Sequence, residues 1–110
     1  MKKSITRTPQ SEEDAYATYR YIAIDSVEAA EAYFDALFDT FDKLLEHQKM
    51  GAVVEEAKGE LHGLRVRPVS SKFRKHLVFY LPTEKNIHIV RILHSSRDIA
   101  PLFAKFYDLA

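Results

Sequence analysis

One apolar stripe constrains this chain more than any other feature. Ala30, Tyr33, Phe34, Leu37, Phe38, Phe41, Leu44 and Leu45 recur at spacings of three and four, the period of one helix face. Glu28, Glu31, Asp35, Asp39, Asp42, Lys43 and Glu46 fall on the opposite face. The pattern predicts an amphipathic helix of about 20 residues, ending near His47. Such a face is stable only when buried against a second layer.

A shorter helix precedes it. Ser11 stands before Glu12, Glu13 and Asp14, so it reads as an N-cap with acids at the positive end of the helix dipole. Ala15, Tyr16, Tyr19, Ile22 and Ala23 continue at helical spacing, which predicts a helix from about Glu12 to Ile24. Asp25 and Ser26 break it and can cap the next helix. A break this short makes an antiparallel helical hairpin.

The second half changes period. After Gly51, residues 52–60 mix polarity without a repeat and read as a loop, with a helical turn ending at Gly59. Leu64 and Val66 alternate with Arg65 and Arg67, and Pro68 marks a strand end or an edge. Ser70 to Lys75 is a basic turn. His76–Leu81 and Ile87–Leu93 are apolar strands joined by the tight 82–86 connection. Three strands with short links predict an antiparallel meander. Ile5 and its neighbours suggest a short N-terminal strand. Asp98 can cap a final helix carrying Leu102, Phe103, Phe106 and Leu109. The expected fold is α+β: an antiparallel sheet of three to four strands, the helical hairpin on one face, and a short C-terminal helix, all in one domain over residues 1–110.

Composition narrows the function classes. There is no cysteine, which excludes a disulfide scaffold and a thiolate nucleophile and fits a reducing cytoplasm. The longest wholly apolar run is Leu77–Leu81, far short of the roughly 20 residues of a membrane span, and MKKSITRTPQ lacks the apolar core of a signal peptide. A soluble, cytoplasmic protein is expected. The net charge of zero hides a division. Residues 1–60 carry seven Lys and Arg against thirteen Asp and Glu, net −6; residues 61–110 carry nine against three, net +6. Such asymmetry points to an anionic or acidic partner for the basic half.

Few motifs carry chemistry. His47, His62, His76, His88 and His94 form no helical i, i+4 pair, so no metal is expected. His88 and His94, six apart, would share a face of a regular strand. No nucleophile elbow or phosphate-binding glycine fingerprint is present, and no cofactor is expected. What remains is a basic constellation. Arg65 and Arg67 share one strand face, Lys72, Arg74 and Lys75 adjoin it, and Arg91, His94 and Arg97 end the last strand. Guanidinium groups grip carboxylates and phosphates bidentately; the other reading is a solvated face balanced by the acidic helices. Arg91 lies inside an apolar strand and needs a partner, with Asp98 nearest in sequence. Phe79 and Tyr80 point to opposite faces, so one enters the core and the other is free to pack or to stack on a partner.

Together these pieces resemble the RelE/ParE superfamily of toxins from type II toxin–antitoxin pairs. YRYIAIDSVEAAEAYFDALFDTFDKL (19–44) is similar to the ParE-type hairpin, LRVRPV (64–69) to the strand after the loop, and HLVFYLPTEKNIHIVRILHSSRD (76–98) to the last strands and their turn. The resemblance implies a small sheet with a helical hairpin on one side. It also implies one of two activities: ParE-like members inhibit DNA gyrase, and RelE-like members cleave messenger RNA on the ribosome. The hairpin break and the tail favour the ParE branch. No lysine-rich sheet strand or C-terminal Tyr motif of the RelE type is evident, although Arg65, Arg67, Arg91 and His94 lie near where the nucleases keep basic groups. Either branch implies a small antitoxin, here ParD-like, forming a hetero-oligomer with the toxin. Direct nucleic-acid binding is expected only for the nuclease. A non-toxic module that binds only antitoxin is the third reading. The expected target-binding set is Arg65, Arg67, Arg74, Arg91, His94 and Arg97.

Overall fold

The computed structural model describes residues 3–97 and residue 99. The order is β1 (Ser4–Arg7), α1 (Pro9–Asp25), α2 (Val27–Glu46), β2 (Ala52–Val53), β3 (Arg65–Pro68), β4 (His76–Pro82) and β5 (Asn86–His94), with 3₁₀ turns at Gly59–Leu61 and Ser71–Phe73. The expected C-terminal helix and Asp98 lie outside the described residues. The five strands run in the order β1-β5-β4-β3-β2. The meander β3-β4-β5 is antiparallel as expected, and β2 adds an antiparallel edge. β1 pairs in parallel with β5, Thr6 opposite His88, so the sheet is mixed and larger than predicted. A four-residue strand has too little pattern to reveal its partner in the sequence.

The long helix forms as its stripe dictates. Ala30, Tyr33, Leu37, Phe41 and Leu44 are at most 4% exposed, and each large apolar side chain so buried contributes roughly 1.5–3 kcal/mol. Phe34 is half-buried, and Phe38 is 45% exposed, on the outer flank of the stripe. Ser26 ends α1 through its amide and caps α2 by accepting from the Ala29 amide at 3.0 Å. At the start of α1 the cap is Thr8, not Ser11. Thr8 Oγ1 accepts from the Ser11 amide (2.9 Å) and donates to the Val90 carbonyl (2.8 Å), with Pro9 opening the helix. Proline at the first helical position is preorganised for the turn, and the bond to β5 decides where the helix starts.

The sheet separates two apolar layers. Val69, Val78, Tyr80, Ile87, Ile89 and Ile92 meet α2 on one side. Phe79, Val90 and Leu93 meet Ala57, Leu61 and Leu64 on the other. Phe79 and Tyr80 are therefore both buried. The 54–64 segment roofs the far face, although its apolar residues follow no period.

An irregularity in β5 sets which way its side chains point. Phe79 pairs with Arg91 and Tyr80 with Ile89, leaving Val90 as an extra residue on β5. This β-bulge reverses the alternation, so Ile87, Ile89 and Ile92 all meet the hairpin-side core. His88 and His94 consequently lie on opposite faces. No described helix is long and apolar enough to cross a membrane.

Candidate functional site

The six basic residues do not form one surface. Arg91, 7% exposed, sits at the bulge and faces Asp14 of α1. Its Nε donates to Asp14 Oδ2 (2.7 Å) and its Nη2 to Oδ1 (3.0 Å). The Ile92 amide donates to the same Oδ2 at 3.0 Å. Asp14 thus neutralises a buried cation and satisfies an edge amide of β5 beyond the reach of β1. The partner expected from sequence proximity was Asp98; the tertiary partner lies 77 positions away. This pair removes Arg91 from the exposed set.

Arg65 is also committed inward. It lies opposite Tyr80 on β4, and its Nη1 donates to the carbonyls of Lys49 (3.1 Å) and Gly51 (2.7 Å). Tyr80 completes the clamp, donating to the Gln48 carbonyl and accepting from the Gly51 amide, each at 2.9 Å. Burial pushes the Tyr80 phenol up, and the Gly51 amide, Arg65 and Arg67 partly offset this. The close approach requires glycine: a Cβ at Gly51 would lie 2.7 Å from Tyr80 Oη and 2.8 Å from the Val66 carbonyl oxygen.

Arg67 and Arg74 do come together. Arg67, half-buried, lies on the hairpin side of β3 opposite Val78. Arg74, exposed, follows the Ser71–Phe73 turn. Both line a cleft of about 280 Å³ with Thr40, Lys43, Met50 and the Pro68–Ser71 segment. Among the described residues neither guanidinium has a hydrogen bond or ion pair. Lys43 is held by Asp39 at 3.0 Å, and hydrogen bonds from Lys43 and then Ser70 hold the Asp39 carboxyl below its usual range. Thr40 fixes the wall: its Oγ1 donates to the Ala36 carbonyl (2.8 Å), accepts from the Ser70 amide (3.1 Å) and lies 3.1 Å from Ser70 Oγ.

His94 and Arg97 form the remaining group at the end of β5, both exposed. The His94 ring packs edge-on to His76, centroids 5.0 Å apart. Its Nδ1 accepts from the Ser96 amide at 3.0 Å. His76 also packs against Tyr33, and burial, followed by His94, pulls it below the usual histidine value. Among the described residues no group of three or more His, Asp or Glu is placed to hold a metal.

Sequence reasoning missed Lys43, read as outer helix surface, and Asp14, read as a first-turn acid. Thr40 was the available signal. It is a hydroxyl on the buried stripe, three residues after Leu37 and four before Leu44, and such a group must find polar partners.

The family model described as the ParE toxin of type II toxin–antitoxin system, parDE, matches residues 5–99. The chain belongs to the ParE toxin family. The fold agrees with ParE. A chain of the chromosomal ParDE system from P. aeruginosa superposes with a TM-score of 0.62 at 20% identity, covering 84% of this chain and 95% of that one. A chain of the heterotetrameric YoeB–YefM toxin–antitoxin complex from Staphylococcus aureus superposes with a TM-score of 0.50 at 18% identity, covering 83% and 94%. No curated protein matches by sequence. Within this ParE fold, Arg65 and Arg91 are tied to the chain itself, whereas Arg67 and Arg74 line the cleft and His94 and Arg97 are exposed.

Proposed function

We propose that this ParE-family toxin inhibits DNA gyrase and is held inactive by a ParD-like antitoxin. The match to the ParE model across residues 5–99 carries the reading. The dispersal of the basic groups supports it. A ribonuclease needs a general acid, a general base and cations converging on one phosphate, and here the groups divide among two internal clamps, a cleft and a strand end. We assign target contact to Arg67, Arg74, His94 and Arg97, and a positioning role to Arg65 and Arg91.

The solved chains of similar fold come from toxin–antitoxin complexes, which supports an antitoxin partner. The hairpin offers it apolar surface. Tyr16 is 53% exposed, and with Phe34, Leu37, Phe38, Phe41 and Ile92 it forms the apolar part of a second cleft of about 110 Å³, whose rim carries Arg7 of β1 and Glu12 of α1, suited to an apolar side chain of a docked helix with polar neighbours. The acidic hairpin keeps the isolated toxin near neutrality while its basic half attracts an acidic antitoxin segment.

Expression without antitoxin is expected to arrest growth with DNA-damage signalling and intact transcripts, and purified toxin to inhibit gyrase supercoiling. Rapid loss of translation with cleaved transcripts would overturn the gyrase reading and establish a ribosome-dependent endonuclease. Harmless expression of a folded protein that still copurifies with the product of the neighbouring reading frame would establish a binding module.

A further inference from the structure

We propose that the cleft between α2 and the β3–β4 turn is a carboxylate site that receives an Asp or Glu side chain of a protein partner. In the cell this rests on the antitoxin reading, the inserted residue belonging to the neutralising segment. Three cations line the cleft, Lys43, Arg67 and Arg74. Among the described residues only Lys43 of the three has a counter-ion, Asp39. Arg67 is half-buried and has no hydrogen bond or ion pair among the described residues, so its guanidinium, open at the cleft, can take an incoming anion. Two guanidinium forks match the planar, bidentate geometry of a carboxylate. The volume of about 280 Å³ is slightly below the roughly 300–1,000 Å³ of small-molecule pockets, and suits a side chain.

Phosphate is the competing anion, and the surroundings disfavour a polyphosphate strand. Asp39, Asp42 and Glu46 are exposed within one turn of Lys43, and Asp35 is exposed one turn further back. At physiological salt a charge is felt over about 8 Å, so a nucleic-acid backbone leaving the cleft along α2 would be repelled. A peptide places one carboxylate in the cleft and sets neutral or basic residues against that helix face. The hydrogen-bonded Thr40–Ser70 pair holds the wall in register before the ligand arrives.

Two measurements test the site. In the first, isotope-labelled full-length protein is titrated with the peptide acetyl-Lys-Leu-Glu-Lys-amide, its Gln counterpart, inorganic phosphate and an octauridine RNA, while the arginine Nε–H resonances are followed by NMR. The Glu peptide is expected to shift Arg67 and Arg74, and the Gln peptide to leave them in place. A stronger response to the RNA, or no response to the Glu peptide, overturns the proposal. In the second, the antitoxin copurified from the neighbouring reading frame is measured against wild type and Arg67→Gln/Arg74→Gln. Affinity is expected to fall roughly tenfold or more, with the thermal midpoint unchanged; unchanged affinity overturns the proposal. If no neighbouring protein binds the wild type, the antitoxin reading fails, and the peptide titration still decides the cleft.

Discussion

Arg91 and Arg67 have the same side chain on strands of the same sheet, and their surroundings are opposite. Arg91 is enclosed and doubly bonded to Asp14, whose remaining capacity satisfies the Ile92 amide. Arg67 is half-buried in a cleft lined by two other cations, and no described residue serves as its counter-ion. The first arrangement is complete within the chain and holds α1 against β5. The second leaves a cation without a counter-ion among the described residues, open to one from outside the chain. A guanidinium is therefore informative about function here when its charge is left unmatched.

The sharpest way to break this contrast is at Asp14. Asp14→Ala leaves Arg91 buried without a counter-ion and is expected to destabilise by about 3–5 kcal/mol, read by denaturant unfolding. Asp14→Leu combined with Arg91→Met is expected to recover part of that loss, because the two apolar groups need no partners while the Ile92 amide loses its acceptor. If Asp14→Ala unfolds like wild type, the corner is not a stability element and the contrast fails.

The hairpin-side core gives the next largest effect. Burial pushes the Tyr33 phenol up to about 12. The unfolded phenol ionises near pH 10 and the folded one only near 12, so this contribution is fully present below pH 10. It is lost as pH rises from 10 to 12, up to about 2–3 kcal/mol. Alkaline unfolding curves of Tyr33→Phe are expected to lack this component.

The Arg65 clamp can be tested without touching a charge. Gly51→Ala places a methyl 2.7 Å from Tyr80 Oη and is expected to cost about 1–3 kcal/mol, with the arginine pair in the cleft unaffected. The smallest stability effect is expected at the cleft itself. Arg67→Gln/Arg74→Gln removes unmatched cations and should change unfolding free energy by no more than about 0.5 kcal/mol; under the proposed gyrase reading, inhibition of supercoiling is expected to fall in the same variant. A large loss of stability in this variant would make the two arginine environments alike.

Much of the architecture was legible in the residues because it rests on local periodicity. The stripe from Ala30 to Leu44, the Asp25–Ser26 break and the meander all come from spacing that one element enforces on its own neighbours. The start of α1 was not, because Thr8 is chosen as cap partly through its bond to the Val90 carbonyl. Nor was the roof of the far face, where Ala57, Leu61 and Leu64 contact the sheet without a repeating period.

The site divides along the same line. The residue types were evident: a basic second half, with Arg65, Arg67, Arg74, Arg91, His94 and Arg97 as its outstanding members. Their grouping was not. A single extra residue, Val90, reverses the strand alternation and separates His88 from His94, while Arg91 finds its partner 77 positions away. Sequence by itself determined the elements, the burial of α2 and the charge of each half, because those depend on neighbours a few positions apart. Only the tertiary structure decided which cations are matched, because an ion pair depends on distance in space, and the fold brings Asp14 to Arg91 and Lys43 beside Arg67.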